Sequence, residues 1–118
     1  MAVRNYRELI VWQKAMELVE LVYQITKSFP KEELYGLTNQ VRRAVVSIPS
    51  NIAEGQSRRS TAEFKNFLSI AQGSRAEVET QIMIAQRLHY ISQQQMDQIL
   101  ALSEEIKRMI YSLRAKLD

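Results

Sequence analysis

The sequence predicts an all-α protein, an antiparallel up-down-up-down four-helix bundle in which residues 1–118 form a single domain. Three observations lead there. Apolar residues recur at three- and four-residue steps through four long segments, the period of a helix face and not of a strand. Gly 3 and Pro 2 are too few for the turns of an all-β fold or for a disordered linker. The segments are similar in length, and the connections at Phe29 to Lys31, Arg58 to Ser60 and Ile91-Ser92 are short, which sets neighbouring helices antiparallel.

The first helix is expected from about Asn5 to Ser28, with Asn5 as its N-cap. Trp12, Ala15, Met16, Val19, Val22, Tyr23 and Thr26 share one face. Phe29-Pro30 ends the helix, because the residue before a proline avoids the α region. Val11, Leu18, Leu21 and Ile25 add a second apolar stripe. A helix of a monomeric bundle needs an apolar arc of about 100°, and the two stripes together cover well over half the circumference. The second stripe is therefore either a broad core face or an oligomer interface.

The second helix is expected from about Glu32 to Ser57, with Leu34, Leu37, Val41, Val45, Ile48 and Ile52 as its core stripe. Pro49 lies inside it and predicts a kink between Val45 and Pro49. Beside the core stripe runs a row of small and polar residues, Gln40, Ala44, Ser47, Asn51 and Glu54. Together with Glu77 it reads as a structural polar row between closely packed helices, or else as a solvated face.

The third helix is expected from about Thr61 to Tyr90. Ser60 and Glu63 form a capping-box pattern at its start. Phe64, Phe67, Leu68, Ala71, Ser74, Val78, Ile82, Ala85 and His89 face one way. Gly73 costs about 1 kcal/mol against alanine in mid-helix, and Gly73-Ser74 is expected to admit a neighbouring helix. The fourth helix is expected from about Gln93 to Leu117, opened by a second capping box at Ser92 and Gln95. Met96, Ile99, Leu100, Ser103, Ile106, Ile110, Leu113 and Leu117 form its stripe.

Composition removes most chemistry. Cys 0 excludes disulfides, zinc–cysteine sites and thiol catalysis. The single histidine, His89, follows Gln86 where a di-metal bundle would need Glu. It is expected to be partly buried at a helix C-terminus, where the dipole favours its cation. Gly36, Gly55 and Gly73 stand too far apart for a phosphate-binding loop, and no nucleophile elbow surrounds a serine. Glu54 and Glu77 read as structural ion-pairing groups rather than as a catalytic pair. No enzyme activity, metal or cofactor is expected. No apolar run approaches the ~20 residues of a membrane span, and charges interrupt the first twenty residues, unlike a secretory segment. A cytoplasmic protein with no membrane partner is expected.

The net charge of +3 lies wholly in the first half of the chain. Arg42-Arg43 and Arg58-Arg59 are its two doublets. With Lys65, Arg4 and Arg7 they are the candidate nucleic-acid contacts, to phosphates rather than base edges. The alternative for each is an ordinary solvated charge. Arg58 stands four residues after Glu54, in the favourable order for an ion pair. Arg43 is placed to meet Glu77 across a helix contact, whereas Arg42 points about 100° away and is expected to be freer. No basic groove interleaved with aromatics is evident.

The stretch Gly36-Leu37-Thr38-Asn39-Gln40-Val41-Arg42-Arg43-Ala44-Val45-Val46-Ser47-Ile48-Pro49-Ser50-Asn51-Ile52-Ala53-Glu54-Gly55 resembles the hallmark of the four-helix-bundle proteins encoded within 23S rRNA intervening sequences, a bacterial family loosely grouped with ribosomal proteins. Trp12-Gln13-Lys14-Ala15 and Tyr23 fit that family's first helix, Phe29-Pro30 with Glu33 its first turn, and Ala71, Gly73-Ser74 and Glu77 its third helix. The last helix fits only as an amphipathic helix. The resemblance implies a four-helix bundle. It also implies similarity to the accessory proteins of diversity-generating retroelements, which are pentameric barrels with a basic surface that bind nucleic acid and a reverse transcriptase. Two function classes follow. One is a non-catalytic, oligomeric module that binds RNA or DNA through phosphates, favoured because the basic excess coincides with the signature stretch. The other is an oligomeric adaptor that presents a surface to a protein partner such as a reverse transcriptase.

Overall fold

The computed structural model describes residues 5–117. Four helices, α1 (Ile10–Thr26), α2 (Leu37–Gln56), α3 (Thr61–Arg87) and α4 (Gln93–Lys116), make an all-α bundle. Its extents are 45 × 25 × 19 Å. Two short 3-10 turns, Tyr6–Glu8 and Lys31–Glu33, precede α1 and α2. The packed pairs are α1–α2, α2–α3, α3–α4 and α1–α4, so each helix has two neighbours around one core. Leu18, Val41, Ile48, Ile52, Leu68, Ile82, Ile99, Ile106 and Ile110 are fully enclosed in it.

Two neighbours per helix settle the second stripe of α1. Val11, Leu18 and Ile25 are buried in the chain's own core, and Leu21 packs half-buried against it. The oligomer-interface reading of Val11, Leu18, Leu21 and Ile25 is thereby corrected. A helix wedged between two others buries an arc wider than the ~100° that one contact needs. Enclosing a leucine contributes about 1.5–3 kcal/mol inside a single chain. Met16 and Tyr23, expected in the core stripe, are instead both 39% exposed.

Helix ends differ from the expected ones where a local cap intervenes. Asn5 caps the first 3-10 turn, its Oδ1 accepting from Arg7 N at 2.8 Å, and α1 starts only at Ile10. The second helix starts at Leu37 rather than Glu32 because the Glu33 side chain serves as its cap. Glu33 Oε1 accepts from Leu37 N at 3.0 Å, and Oε2 accepts from the Tyr90 hydroxyl at 2.8 Å. Leu34 consequently leaves the core stripe and stands exposed. The third helix stops at Arg87. Tyr90 N bonds Ala85 O at 2.9 Å and His89 N bonds Gln86 O at 3.0 Å, the paired bonds of a Schellman ending. His89 takes the left-handed position at φ 64 and is exposed, not partly buried. Ser60 caps α3 by accepting from Glu63 N at 3.1 Å; the Glu63 carboxylate meets the Ser60 hydroxyl at 3.2 Å. At α4 the capping box of Ser92 and Gln95 is complete.

The helix α2 continues through buried Pro49. Along the α2–α3 seam, Ser47 Oγ and Ser74 Oγ are 2.8 Å apart. Nearer the connecting turn, a Cβ placed on Gly55 would lie 2.6 Å from Phe67 Cβ and 3.0 Å from Phe64 Cδ1. Gly55, and not Gly73, is the glycine of close approach: nothing lies within 4 Å of a Cβ built on Gly73.

Two predictions follow from this packing. Gly55→Ala should lower stability by about 1–3 kcal/mol, since overpacking outweighs the gain in helix propensity. Gly73→Ala should raise it by up to about 1 kcal/mol. Urea denaturation of the two variants checks both signs.

The Glu33–Tyr90 tie is sensitive to pH. The Leu37 N–H, and after it the Tyr90 hydroxyl, hold the Glu33 carboxyl below its ordinary value of 4.5. The same bond to Glu33 raises the Tyr90 phenol above 10.0. A depressed carboxyl adds stability that is complete above its unfolded value and is lost as pH falls through the lower folded one. A raised phenol adds stability that is complete below its unfolded value and is lost as pH climbs through the folded one. Glu33→Gln should therefore make the fall of Tm below pH 4.5 shallower than in the parent chain, as read by thermal melts across the acid range.

Candidate nucleic-acid interface

The basic candidates do not form one patch. Arg43 lies thirteen residues before the end of α2 at Gln56, about 20 Å along the helix from the connection that carries Arg58. Arg42 and Arg43 sit at the Thr26 end of α1, while Arg58, Arg59 and Lys65 surround the α2–α3 connection. Arg7 lies in the 3-10 turn at the other end of α1, its guanidinium 5.9 Å from the Tyr6 ring centre. Arg4 lies outside the described residues.

At the α2–α3 end the positive charge is partly offset. Arg58 Nη2 donates to Glu54 Oε2 at 2.7 Å, the pair that the spacing predicted. The same guanidinium covers the Phe67 ring at 4.9 Å. Arg59 is exposed in the turn, and Lys65 is half-buried in the second turn of α3.

At the other end the arrangement differs from expectation. Arg42 is not free. Its Nε donates to Thr26 Oγ1 at 2.9 Å, its Nη2 reaches Tyr23 O at 3.4 Å, and its guanidinium lies 4.7 Å over the Tyr23 ring. A cation is thus fixed against the last turn of α1, where the helix dipole favours it. Arg43 is exposed and makes no ion pair among the described residues. The expected partner, Glu77, instead accepts from Gln81 Nε2 at 3.4 Å.

Arg42 and Arg43 share an open groove with Tyr23, Leu34, Tyr35, Thr38, Asn39, Val46 and Ser47. No carboxylate lines it. A groove that joins arginines to aromatics is what the sequence reading found lacking. Tyr35 was missed because it belongs to no apolar stripe. Its one signal is its place in a turn, between the capping residue Glu33 and Gly36.

The polar row of α2 divides. Ser47 and Asn51 form an internal network on the α2–α3 seam, with Asn51 Nδ2 donating to both Ser47 O and Ser47 Oγ at 2.8 Å. Glu54 turns to Arg58, while Gln40 and Glu77 are exposed. A second network was not foreseen. Arg75, only 8% exposed, donates from Nη1 to Glu79 Oε2 at 2.7 Å and to Ser103 Oγ at 3.1 Å. The Ser103 hydroxyl donates to the same Glu79 oxygen at 2.6 Å, and Arg75 Nε donates to Gln72 Oε1 at 2.7 Å. A serine in the apolar stripe of α4 was the available signal. Every member has a partner, so the network ties α3 to α4. Among the described residues no cluster of His, Cys, Asp or Glu could hold a metal ion.

The sequence model of the 23S rRNA-intervening sequence protein matches residues 7–112. No curated protein matches the chain. Among solved structures, a protein of unknown function from the S23 ribosomal protein family of Bacteroides thetaiotaomicron is similar, with a TM-score of 0.81 and 28% identity. The likeness covers 88% of this chain and 97% of that one.

The two neighbouring arginines should separate in a stability measurement. Arg42→Ala removes the bond to Thr26 and the contact with Tyr23, and should cost about 1 kcal/mol. Arg43→Ala should stay within about 0.5 kcal/mol of the parent chain. Urea midpoints at constant slope report the difference.

Proposed function

The chain belongs to the 23S rRNA-intervening sequence protein family, and from that premise we propose that it is a non-catalytic, oligomeric RNA-binding module that acts through phosphate contacts. The carrying observation is the groove between α1 and α2, where Arg42 and Arg43 come together with no carboxylate beside them. Arg59, exposed in the α2–α3 turn, offers a second, separate cation at the other end of α2. Phosphates need such uncompensated cations, and each contact releases counterions. Repetition around a homo-oligomer, a pentamer by the family resemblance, multiplies a small charge per subunit into a field that steers RNA. With the second stripe of α1 in the core, subunit contact falls to the exposed apolar residues Ile70 and Ile84 of α3 and Leu88 at its C-cap.

The same reading takes the bundle as antiparallel, supported by contacts that pair Ser47 with Ser74 and Gly55 with Phe64. It takes α2 as kinked at Pro49, which has no N–H for the Val45 carbonyl. It puts the protein in the cytoplasm; no described helix is long and apolar enough to cross a membrane. A second reading is an adaptor for a protein partner such as a reverse transcriptase, in line with the resemblance to retroelement accessory proteins. Leu34 and Val46, apolar and exposed beside the arginines, favour it.

Binding to 23S rRNA fragments, followed by anisotropy and light scattering, tests the proposal. Affinity should fall steeply between about 50 and 200 mM salt, and the scattering mass should be a multiple of the single chain. Arg43→Glu combined with Arg59→Glu should weaken binding at least tenfold at unchanged Tm, as each charge reversal removes a phosphate contact. Unchanged affinity in that variant overturns the phosphate-contact reading, and a monomer that ignores RNA overturns the module altogether.

A further inference from the structure

The groove between α1 and α2 holds more than charge. Tyr35 is 91% exposed, yet its backbone is held on both sides. Leu34 N bonds Lys31 O at 3.1 Å, Gly36 N bonds Glu33 O at 2.9 Å, and Leu37 N bonds the Glu33 carboxylate at 3.0 Å. The ring is thus carried on a fixed turn with an open face. A large aromatic left uncovered forgoes the burial that its size would reward. Across the groove, the Arg42 guanidinium already covers Tyr23, 4.7 Å from the ring centre, and its bond to Thr26 keeps it there. Arg43 stands beside them without an ion pair, and Asn39 adds an amide that can both donate and accept.

An open aromatic face beside arginines without ion pairs matches one ligand best. A single strand offers an unstacked base for Tyr35 and a neighbouring phosphate for Arg43. A duplex offers the phosphates but keeps its base faces stacked inside. An acidic peptide would satisfy Arg43 and bring no flat partner for Tyr35.

We propose that the groove between α1 and α2 is a single-stranded RNA site, in which an unpaired base stacks on Tyr35 while Arg43 holds an adjacent phosphate and Arg42 with Tyr23 forms the floor. The inference rests on the RNA-binding reading above and narrows it to unpaired segments. Tyr35 is the specificity-bearing residue, since it rewards an exposed base and nothing in a duplex.

The test uses the whole chain and two fluorescein-labelled probes, an oligoadenylate of about twelve nucleotides and an RNA duplex of the same length, with anisotropy as readout. Tyr35→Ala should weaken binding of the single strand about tenfold, leaving duplex binding and the salt slope unchanged. Tyr35→Phe, which keeps the ring, should retain the single-strand affinity. Arg43→Ala should lower the salt slope by about one for both probes. Circular dichroism confirms that each variant is folded. If Tyr35→Ala binds the single strand as the parent does while Arg43→Ala weakens it, phosphate binding stands and the stacking site is overturned. Equal losses on strand and duplex also overturn it. If the parent chain binds neither probe, this inference and the RNA-binding reading fall together.

Discussion

Gly55 lets the backbone of α2 lie directly against the side chains of Phe64 and Phe67, and much of the bundle depends on that approach. A methyl group there would meet Phe67 Cβ at 2.6 Å. With the helices this close near their connecting turn, Ser47 and Ser74 come within hydrogen-bonding distance further along the seam. Asn51 then completes the network by donating to Ser47. Ile48 and Ile52, on the adjacent face, turn fully into the core. The run from Ser47 to Gly55 therefore alternates two duties along one helix, with isoleucines inward and small or polar groups against α3. Its resemblance to the signature of the family has this physical content.

The other seams are held differently. Between α3 and α4 a buried arginine sits in a network where Gln72, Glu79 and Ser103 each take one of its bonds. Burial of a lone arginine would be strongly unfavourable; here the charge is paired and hydrogen-bonded, the condition under which a buried ion is tolerated. Removing one partner would leave a buried charge uncompensated, which is strongly destabilising, whereas replacing the whole network by apolar residues of equal volume is often neutral. At one end of the bundle, Glu33 joins the α1–α2 connection to Tyr90 in the α3–α4 connection. The phenol also packs near Phe29, with ring centres 5.6 Å apart. This tie fixes the turn that carries Tyr35. The groove is thus built on a constrained scaffold rather than on a loose loop, which lowers the entropic cost of ordering it around a ligand.

Much of the fold was legible because helical periodicity is a local property. Four amphipathic segments, two capping sequences and the Phe29-Pro30 stop could be read directly from neighbours three and four residues apart. The errors came where a side chain from elsewhere decided the outcome. The α2 start moved to Leu37 because the Glu33 carboxylate, also bound by Tyr90, caps it. Arg42 lost its freedom to Thr26 and Tyr23, sixteen and nineteen residues away. The stripe of Val11, Leu18, Leu21 and Ile25 reads equally as a core face or an interface, because a single helix does not reveal how many neighbours it will have.

The sequence by itself determined the helix content, most of the inward positions, the Glu54–Arg58 pair and the absence of cysteine chemistry, all of which follow from residue type and short-range spacing. Tertiary structure alone decided which glycine mediates close packing, which arginines stay unpaired, and that Tyr35 and Arg43 border the same groove. Those outcomes depend on how separate elements of the chain pack against one another. That packing, of four helices around one core, is encoded by no single helix.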